Sequence, residues 1–173
     1  MITISEALPN ELNVVRYLAG EIWPRCYDRI ISGGQIKYML DLLYSDEKLN
    51  HDLESGQKFL LVKDHADYIG FAAIEHHWKG SALTRIHKIY LLPEYQGKGI
   101  GKALMNEISA RSRKMNDTGL SLNVNRQNPA QHFYTRLGFE IKKSEDIDIG
   151  QGYLMEDYVM ECPLVDNNSG LNQ

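Results

Sequence analysis

Residues 85–102, RIHKIYLLPEYQGKGIGK, decide how the rest of the chain is interpreted. The segment opens with β-branched and aromatic residues typical of a strand, and this strand stops at Pro93. A loop with Gly97, Gly99 and Gly101 follows, and then the pattern of a helix start. A strand, a glycine loop and a helix N-terminus together present backbone N–H groups to an anion, usually a phosphate. The segment therefore predicts a phosphate-binding loop.

Two common phosphate loops do not fit this segment. The dinucleotide fingerprint GxGxxG fails because Lys102 and Leu104 stand where a third glycine would be needed. A Walker loop fails because Ala103 follows Gly101 and Lys102 and supplies no hydroxyl for magnesium. The pattern that does fit is QxxGxG, which begins at Gln96.

Composition is that of an ordinary globular domain, with 173 residues, 43% apolar and 24% charged. A formal net charge of −4 argues against a nucleic-acid surface. The sequence shows no cationic start followed by an apolar run, and no apolar run of about 18 residues, so we expect a cytoplasmic protein without a membrane partner. Cys26 and Cys162 have neither CxxC nor ligand spacing, which predicts two structural thiols in a reducing compartment and no metal site.

Hydrophobic periodicity predicts alternating strands and helices. The predicted strands are residues 3–8, 58–63, 68–77, 83–92, 120–125, 139–141 and 153–162. The predicted helices run from Pro9-Asn10 to a stop at Trp23-Pro24, over residues 35–44, from Ser45 to a stop at Gly56, from the glycine loop with a stripe of Ile100, Leu104, Ile108 and Met115, and from Asn128-Pro129 to Gly138. We summarise the order as β-α-α-β-β-β-α-β-α-β-β, a single mixed α/β sheet. Residues 1–165 are predicted to form one domain and residues 166–173 a loose tail.

Two motifs in this order resemble a known family. QxxGxG after a strand ending in an aliphatic-Pro-Glu-Tyr run is similar to the acetyl-CoA pyrophosphate loop of the GCN5-related N-acetyltransferase (GNAT) superfamily. The segment NPAQHFYTRLGF resembles the family's NxxAxxFYxxxGF, although Asn128 stands two rather than three positions before Ala130. The element order resembles the superfamily over nearly the whole chain. The resemblance implies a GNAT-like, mostly antiparallel sheet flanked by helices, with acetyl-CoA as cosubstrate.

The resemblance also implies which residues hold the cofactor. In the family, the strand before the loop offers main-chain groups to pantetheine, and these fall on Ile89, Tyr90 and Leu91. The Leu91 N–H is then the natural donor to the thioester oxygen as that oxygen gains negative charge. The remaining cofactor-binding residues implied are Gln96, Gly97, Lys98, Gly99, Ile100, Gly101, Lys102, Asn128 and Tyr134. The glycines let backbone approach a ligand, and some are expected to need positive φ; Lys98 and Lys102 either add charge near phosphate or are solvated.

Acetyl transfer to an amine also needs a proton donor and a base. The family tyrosine that donates to the leaving thiolate matches Tyr134, whose phenol has an ordinary pKa of about 10. The sequence does not decide which residue acts as the general base. His87 stands where many members have a glutamate, and it either accepts the amine proton, directly or through water, or is a satisfied strand histidine. Glu75 and His77, on one face of the neighbouring predicted strand, are reserve candidates.

The function expected is direct transfer of an acetyl group from acetyl-CoA to a primary amine in a ternary complex. The expected acceptor is a polyamine or another small amine. Tyrosines and acids in two segments could receive such a cation, although each alone is equally explained as a solvated or packing residue: Tyr38, Asp41, Tyr153, Glu156 and Asp157. The alternatives are a protein N-terminal or lysine acetyltransferase, and a sensor that binds acyl-CoA without turnover. Many family members pair through their C-terminal strands, so a homodimer is one expectation, which the residues leave undecided.

Overall fold

The computed structural model describes residues 1–165, so the predicted tail lies outside the described residues. Within them the strands are β1 Ile2–Glu6, β2 Lys58–Asp64, β3 Asp67–Glu75, β4 Leu83–Leu91, β5 Gly119–Asn125, β6 Glu140–Gly150 and β7 Tyr153–Pro163. The α-helices are α1 Leu12–Tyr27, α2 Gly33–Tyr44, α3 Asp46–Glu54, α4 Ile100–Lys114 and α5 Ala130–Arg136. None of the helices in this part of the chain is long and apolar enough to cross a membrane.

The strands form one seven-stranded sheet in the order β1-β2-β3-β4-β5-β7-β6. The pair β4 and β5 is parallel and the others are antiparallel, which confirms the predicted mixed, mostly antiparallel sheet. Pairing between β4 and β5 runs from Leu83 opposite Gly119 to Ile86 opposite Leu122. Both strands continue beyond that point, to Leu91 and Asn125. A gap therefore opens in the middle of the sheet.

Helices cover both faces of the sheet and enclose two hydrophobic clusters. On one face, α1 to α3 pack against β2 and β3 around Leu18, Ile22, Leu49 and Phe71. On the other face, Leu104 and Ile108 of α4 pack against the same strands and against β5. Because both faces of β2 are covered, its residues Phe59, Leu60, Leu61 and Val62 are all buried, and the strand shows no polar alternation.

The prediction that the first helix stops at Trp23-Pro24 is wrong, since α1 continues to Tyr27. Pro24 lies in the last turn and lacks the N–H that would bond the Gly20 carbonyl, a cost that tertiary packing offsets. Trp23 and Tyr27 are both buried, with ring centroids 4.7 Å apart. The Trp23 ring also lies 5.9 Å from that of Tyr90 on β4.

Helix count is a second difference. Three α-helices lie between β1 and β2, as the segment-by-segment patterns predict, whereas the summarised order counts two. The separation of α2 from α3 depends on Ser45, which is both the C-cap of α2 and the N-cap of α3. Its hydroxyl accepts a hydrogen bond from the Lys48 N–H at 3.2 Å, and its backbone is extended.

Two further boundaries differ from prediction. β6 was predicted over residues 139–141 but extends over Glu140–Gly150. It is the edge strand and none of its residues is fully buried, so its sequence has no hydrophobic period that marks its length, and pairing with β7 sets it instead. Met115 was placed on the buried stripe of α4 but follows the end of that helix and is 44% exposed.

Candidate active site

The glycine loop has the backbone conformation that the sequence predicts. Gly97 and Gly99 have φ of 73° and 79°, in the left-handed region that favours glycine, and Gly99 is the N-cap of α4. Gly101 serves a different purpose, since a Cβ there would lie 3.3 Å from the ring of Phe133. Its small size allows α4 to approach α5. The loop thus ends at a helix N-terminus whose free N–H groups can receive an anion.

Side chains anchor this loop to the strand before it and to α1. The Gln96 side-chain amide donates to the Leu91 carbonyl at 3.2 Å. The Arg25 guanidinium donates two hydrogen bonds to the Glu94 carboxylate, at 2.7 and 3.3 Å. Lys98 extends over the ring of Tyr95, 5.2 Å from its centroid. Hydrogen bonds to β4 and to α1 therefore hold the start of the loop in position.

The free edge of β4 faces the gap in the sheet. The Leu92 N–H donates to the Ile69 carbonyl at 2.9 Å, on the β3 side. Since hydrogen-bonding direction alternates along a strand, the N–H groups of Leu91 and Ile89 point away from β3, toward the gap. Gly70 of β3 stands opposite Leu91, and a Cβ on it would lie 2.4 Å from Leu91 Cδ2. The missing side chain at Gly70 lets the two strands approach at this point.

Tyr134 lies on α5, beside the same gap. It is 8% exposed and belongs to the hydrophobic cluster that contains Leu91 and Ile100. Its ring is 5.5 Å from that of Phe133 and 5.8 Å from that of Phe139. Burial raises the pKa of Tyr134 well above its ordinary value, and the nearby Tyr27 adds to the effect. The phenol therefore stays protonated throughout the neutral range.

Two other predicted cofactor residues lie near these elements. The Asn128 side-chain oxygen accepts a hydrogen bond from the Ala130 N–H at 2.9 Å, so this asparagine helps to begin α5. Lys102 is exposed in the first turn of α4. Their contacts with a cofactor stay predictions.

The two leading candidates for the base form a pair. His87 Nε2 lies 2.7 Å from Glu75 Oε2. A register shift between Ala73 and Ile74, opposite His87, interrupts the ladder here and places the imidazole on the Glu75 side of the sheet. Burial lowers the pKa of His87, and the hydrogen bond that the imidazole donates to the Glu75 carboxylate opposes this in part. The imidazole is therefore neutral at pH 7, as a base must be.

His77 does not belong to this site, contrary to its prediction as a reserve base. β3 ends at Glu75, and His77 lies beyond it with φ of 52°. Its N–H donates to Asp117 at 3.2 Å, and its Nδ1 lies 2.9 Å from the same carboxylate. The period-two argument fails because the strand does not extend this far.

A set of polar side chains, of which the sequence analysis named only Asp157, lies on the face of the sheet that α1 to α3 cover. Asn123 is its centre: the Asn123 oxygen accepts from Arg85, and its amide donates to Glu145 at 3.3 Å and to Asp157 at 3.2 Å. Arg85 also donates to Ser121 at 2.9 Å. We call Arg85, Ser121, Asn123, Glu145 and Asp157 the polar face. Its members come from β4, β5, β6 and β7, so no local sequence pattern marks it.

The tip of the β6–β7 hairpin contacts α2 at one end of the polar face. The Tyr38 hydroxyl donates to the Ile149 carbonyl, and the Gln35 amide donates to the Leu154 carbonyl at 2.8 Å. The rings of Tyr38 and Tyr153 are 5.4 Å apart. A Cβ on Gly150 would lie 2.8 Å from the Tyr38 hydroxyl, so the contact depends on glycine there. The hairpin tip and α2 together close this end of the face.

The structure divides the predicted acceptor residues into two groups. Alternation along β7 places Tyr153 on the same face as Asp157, and Tyr38 contacts Tyr153. Glu156 lies on the opposite face of β7 and is 57% exposed. Asp41 lies on the outer surface of α2, in a groove that Pro24 also lines. The last two acids are therefore not brought to the polar face.

Comparisons with known proteins agree with this geometry. Residues 55–141 match the family model described as an acetyltransferase (GNAT) domain. The chain is 32% identical to a spermidine N(1)-acetyltransferase of Thermoplasma acidophilum over 84% of this chain and 90% of the relative. It is 37% identical to an uncharacterized N-acetyltransferase of Mycobacterium bovis over 47% of this chain, a match that spans 53%, about half, of that relative.

A solved structure resembles the whole fold. It is the PaiA N-acetyltransferase of Thermoplasma acidophilum in complex with coenzyme A, with a TM-score of 0.79 and 28% identity, covering 94% of this chain and 99% of that chain. The family model and a relative aligned over most of both chains therefore point to the same family. The glycine loop, the gap between β4 and β5 and the sheet order are consistent with it. On this evidence the chain belongs to the GNAT family of acetyltransferases.

Proposed function

We propose that this protein transfers the acetyl group of acetyl-CoA directly to a primary amine, with both substrates bound at once. One observation carries the proposal: Leu91 at the free edge of β4, Ile100 at the start of α4 and Tyr134 on α5 pack in one cluster, where β4 and β5 are no longer paired. The match to the acetyltransferase family supports it, as does the coenzyme A bound by the Thermoplasma protein of similar structure.

The gap and the loop give acetyl-CoA two kinds of contact. Pyrophosphate is bound by backbone N–H groups of residues 97–101, where the helix dipole adds positive potential. Lys98 and Lys102 contribute charge at the same end of α4. Pantetheine lies along β4, hydrogen-bonded to the backbone of Ile89 and Leu91, with the remaining contacts from Tyr90, Ile100 and Asn128. Gln96 acts indirectly, because its amide fixes the loop to Leu91.

The chemistry follows from these positions. The amine nitrogen attacks the thioester carbonyl carbon, and the carbonyl oxygen becomes an oxyanion that the Leu91 N–H stabilises. The C–S bond then breaks, and the Tyr134 phenol donates a hydrogen bond and then its proton to the departing thiolate. A proton from water afterwards restores the phenol. Burial raises the Tyr134 pKa, so the phenol is in its protonated form when the thiolate leaves. The products are the N-acetylated amine and CoA with a free thiol.

His87 accepts the proton that the amine loses. A strand rises by about 3.3 Å per residue, so the Cα atoms of His87 and Leu91 are about 13 Å apart. A separation of that size favours a proton relay through water over direct contact. Glu75 holds the imidazole in place through the 2.7 Å hydrogen bond.

The acceptor that suits this site is a small cationic amine. The spermidine N(1)-acetyltransferase relative supports a polyamine, as do the carboxylates of the polar face. A protein N-terminus or a lysine in a protein would need an open groove along this face. The hairpin tip is hydrogen-bonded to α2 at one end of this face, which favours the small acceptor.

The decisive experiment follows thiol release from acetyl-CoA with a panel of amines, including spermidine, simple diamines, a lysine peptide and a peptide with a free N-terminus. We expect release with the small polyamines and much less with either peptide. Release with peptides alone would support a protein acetyltransferase. If no amine supports release while CoA still stabilises the fold, the protein is a CoA-binding sensor.

A further inference from the structure

Asp157 is the carboxylate of the polar face that lacks a cationic partner among the described residues. Its relative exposure is 4%, and Oδ2 accepts a hydrogen bond from the Asn123 amide at 3.2 Å. Within residues 1–165, no lysine or arginine forms an ion pair with this carboxylate, and its other oxygen receives no hydrogen bond. Burial raises the pKa of Asp157, because the charged form has lost water. A buried charge of this kind is costly unless something pairs with it.

The neighbouring cations are occupied by other groups. Arg85 donates to Ser121 and to the oxygen of Asn123, so Asn123 separates the guanidinium from the Asp157 carboxylate. Arg126 pairs with Asp146 at 2.6 Å. Both arginines therefore attract Asp157 at longer range but leave its free oxygen without a partner.

Glu145 provides a contrast within the same hydrogen-bond network. It also accepts from Asn123, but its other oxygen pairs with the Lys143 ammonium at 2.7 Å and its side chain is 31% exposed. Glu145 therefore already has a cation, and Asp157 does not.

Asp157 also lies beside the gap in the sheet, because it stands opposite Asn125 at the end of β5, beyond the last residues that pair β5 with β4. Its charge contributes to raising the pKa of Tyr27, which burial chiefly brings to about 12. The Tyr27 hydroxyl lies 3.0 Å from that of Tyr90, on the strand that we assign to pantetheine.

We propose that Asp157 binds a second cationic group of the acceptor, so that the substrates are diamines or longer polyamines. The inference rests on the proposed function. The amine that reacts must be neutral, and the group held at Asp157 is a different one that stays charged. Its ammonium would donate to the free oxygen and supply the missing counter-ion, while Asn123 keeps its own hydrogen bond.

The test with the wild-type protein compares 1,5-diaminopentane with pentylamine, which has the same carbon chain and lacks the second charge. A hydrogen bond between charged groups predicts a kcat/KM about 10- to 150-fold higher for the diamine. Equal values for the two amines would overturn the inference without any variant. Transfer to neither amine nor to any other would refute the proposed function itself, and this inference with it.

Two variants locate the effect. Asp157→Asn keeps the size of the side chain and an oxygen for Asn123, and it should bring the diamine-to-pentylamine ratio close to one. Glu156→Gln removes the same charge from the adjacent residue on the opposite face of β7, and it should keep the wild-type ratio. CoA-induced thermal stabilisation of each variant checks that it folds. A folded Asp157→Asn protein with the wild-type ratio, or the same loss in Glu156→Gln, contradicts the inference.

Discussion

Replacing Gly99 with alanine tests two separate roles of this glycine: adopting a positive φ, and leaving room for pyrophosphate beside the backbone. Its φ of 79° is unfavourable for alanine, at about 1–2 kcal/mol, while the new Cβ would meet no atom within 4 Å. The unliganded protein should therefore lose about 2–8 °C in Tm, at about 2–4 °C per kcal/mol for a chain of this size. Pyrophosphate bound on this backbone would collide with the Cβ, so CoA affinity should fall as well.

The assay is a thermal shift with and without CoA. At a hundredfold excess over Kd, CoA should add ~2.7 kcal/mol to the wild-type stability, or about 5–11 °C, and ATP and NAD should add much less. Gly80→Ala is the matched control, because Gly80 has φ of 72°, has no atom within 4 Å of its Cβ and lies in the turn before β4. It should lose a similar Tm and keep the full CoA shift. If Gly99→Ala also keeps that shift, the loop is a turn and does not bind pyrophosphate.

Three further predictions concern the reacting groups and the strands that carry them. Tyr134→Phe should slow single-turnover transfer by about 10²–10⁴ with CoA affinity nearly intact, and a wild-type rate would place the acid elsewhere. Since burial lowers the His87 pKa, the base loses activity as the pH falls through a value below the ordinary 6.5. The plot of log kcat/KM against pH should steepen by one unit there, and the same break in His87→Gln would exclude this histidine. Gly70→Ala places a Cβ 2.4 Å from the Leu91 side chain and should cost about 1–3 kcal/mol, measured by denaturant unfolding. Gly20→Ala, on α1 with no atom within 4 Å of its Cβ, should instead stabilise by up to about 1 kcal/mol, so an equal loss in both would refute the packing argument.

Local patterns predicted most of the fold correctly. The strand, loop and helix at residues 85–102 appear as β4, the glycine loop and α4, and Gly56 and Gly138 follow α3 and α5 with positive φ as helix stops should. Where prediction failed, packing from elsewhere in the chain overrode a local signal. Pro24 should end α1, but burial of Trp23 and Tyr27 extends it. β6 has no hydrophobic period, and β7 supplies its partner.

The glycine loop, which we propose binds the cofactor, was the part of the candidate site most accessible from sequence. Its groups are backbone N–H donors, and their placement depends on glycines that stand in one short segment, from Gly97 to Gly101. The base was only partly accessible. Period-two alternation identified Glu75 as a candidate. Its hydrogen bond to His87, however, depends on the register shift between β3 and β4, and the sequence of one strand alone does not reveal how it pairs with another.

The sequence by itself determined the glycine loop, the order of the elements and the family they belong to, because each depends on residues close together in the chain. Only the tertiary structure decided which of the candidate acids belong to the polar face. It brings Asp157 into hydrogen-bond contact with Asn123, and it leaves Asp41 and Glu156 on other surfaces. The reason is physical: the polar face is assembled from four strands, and the register between them is fixed by hydrogen bonds across the whole sheet.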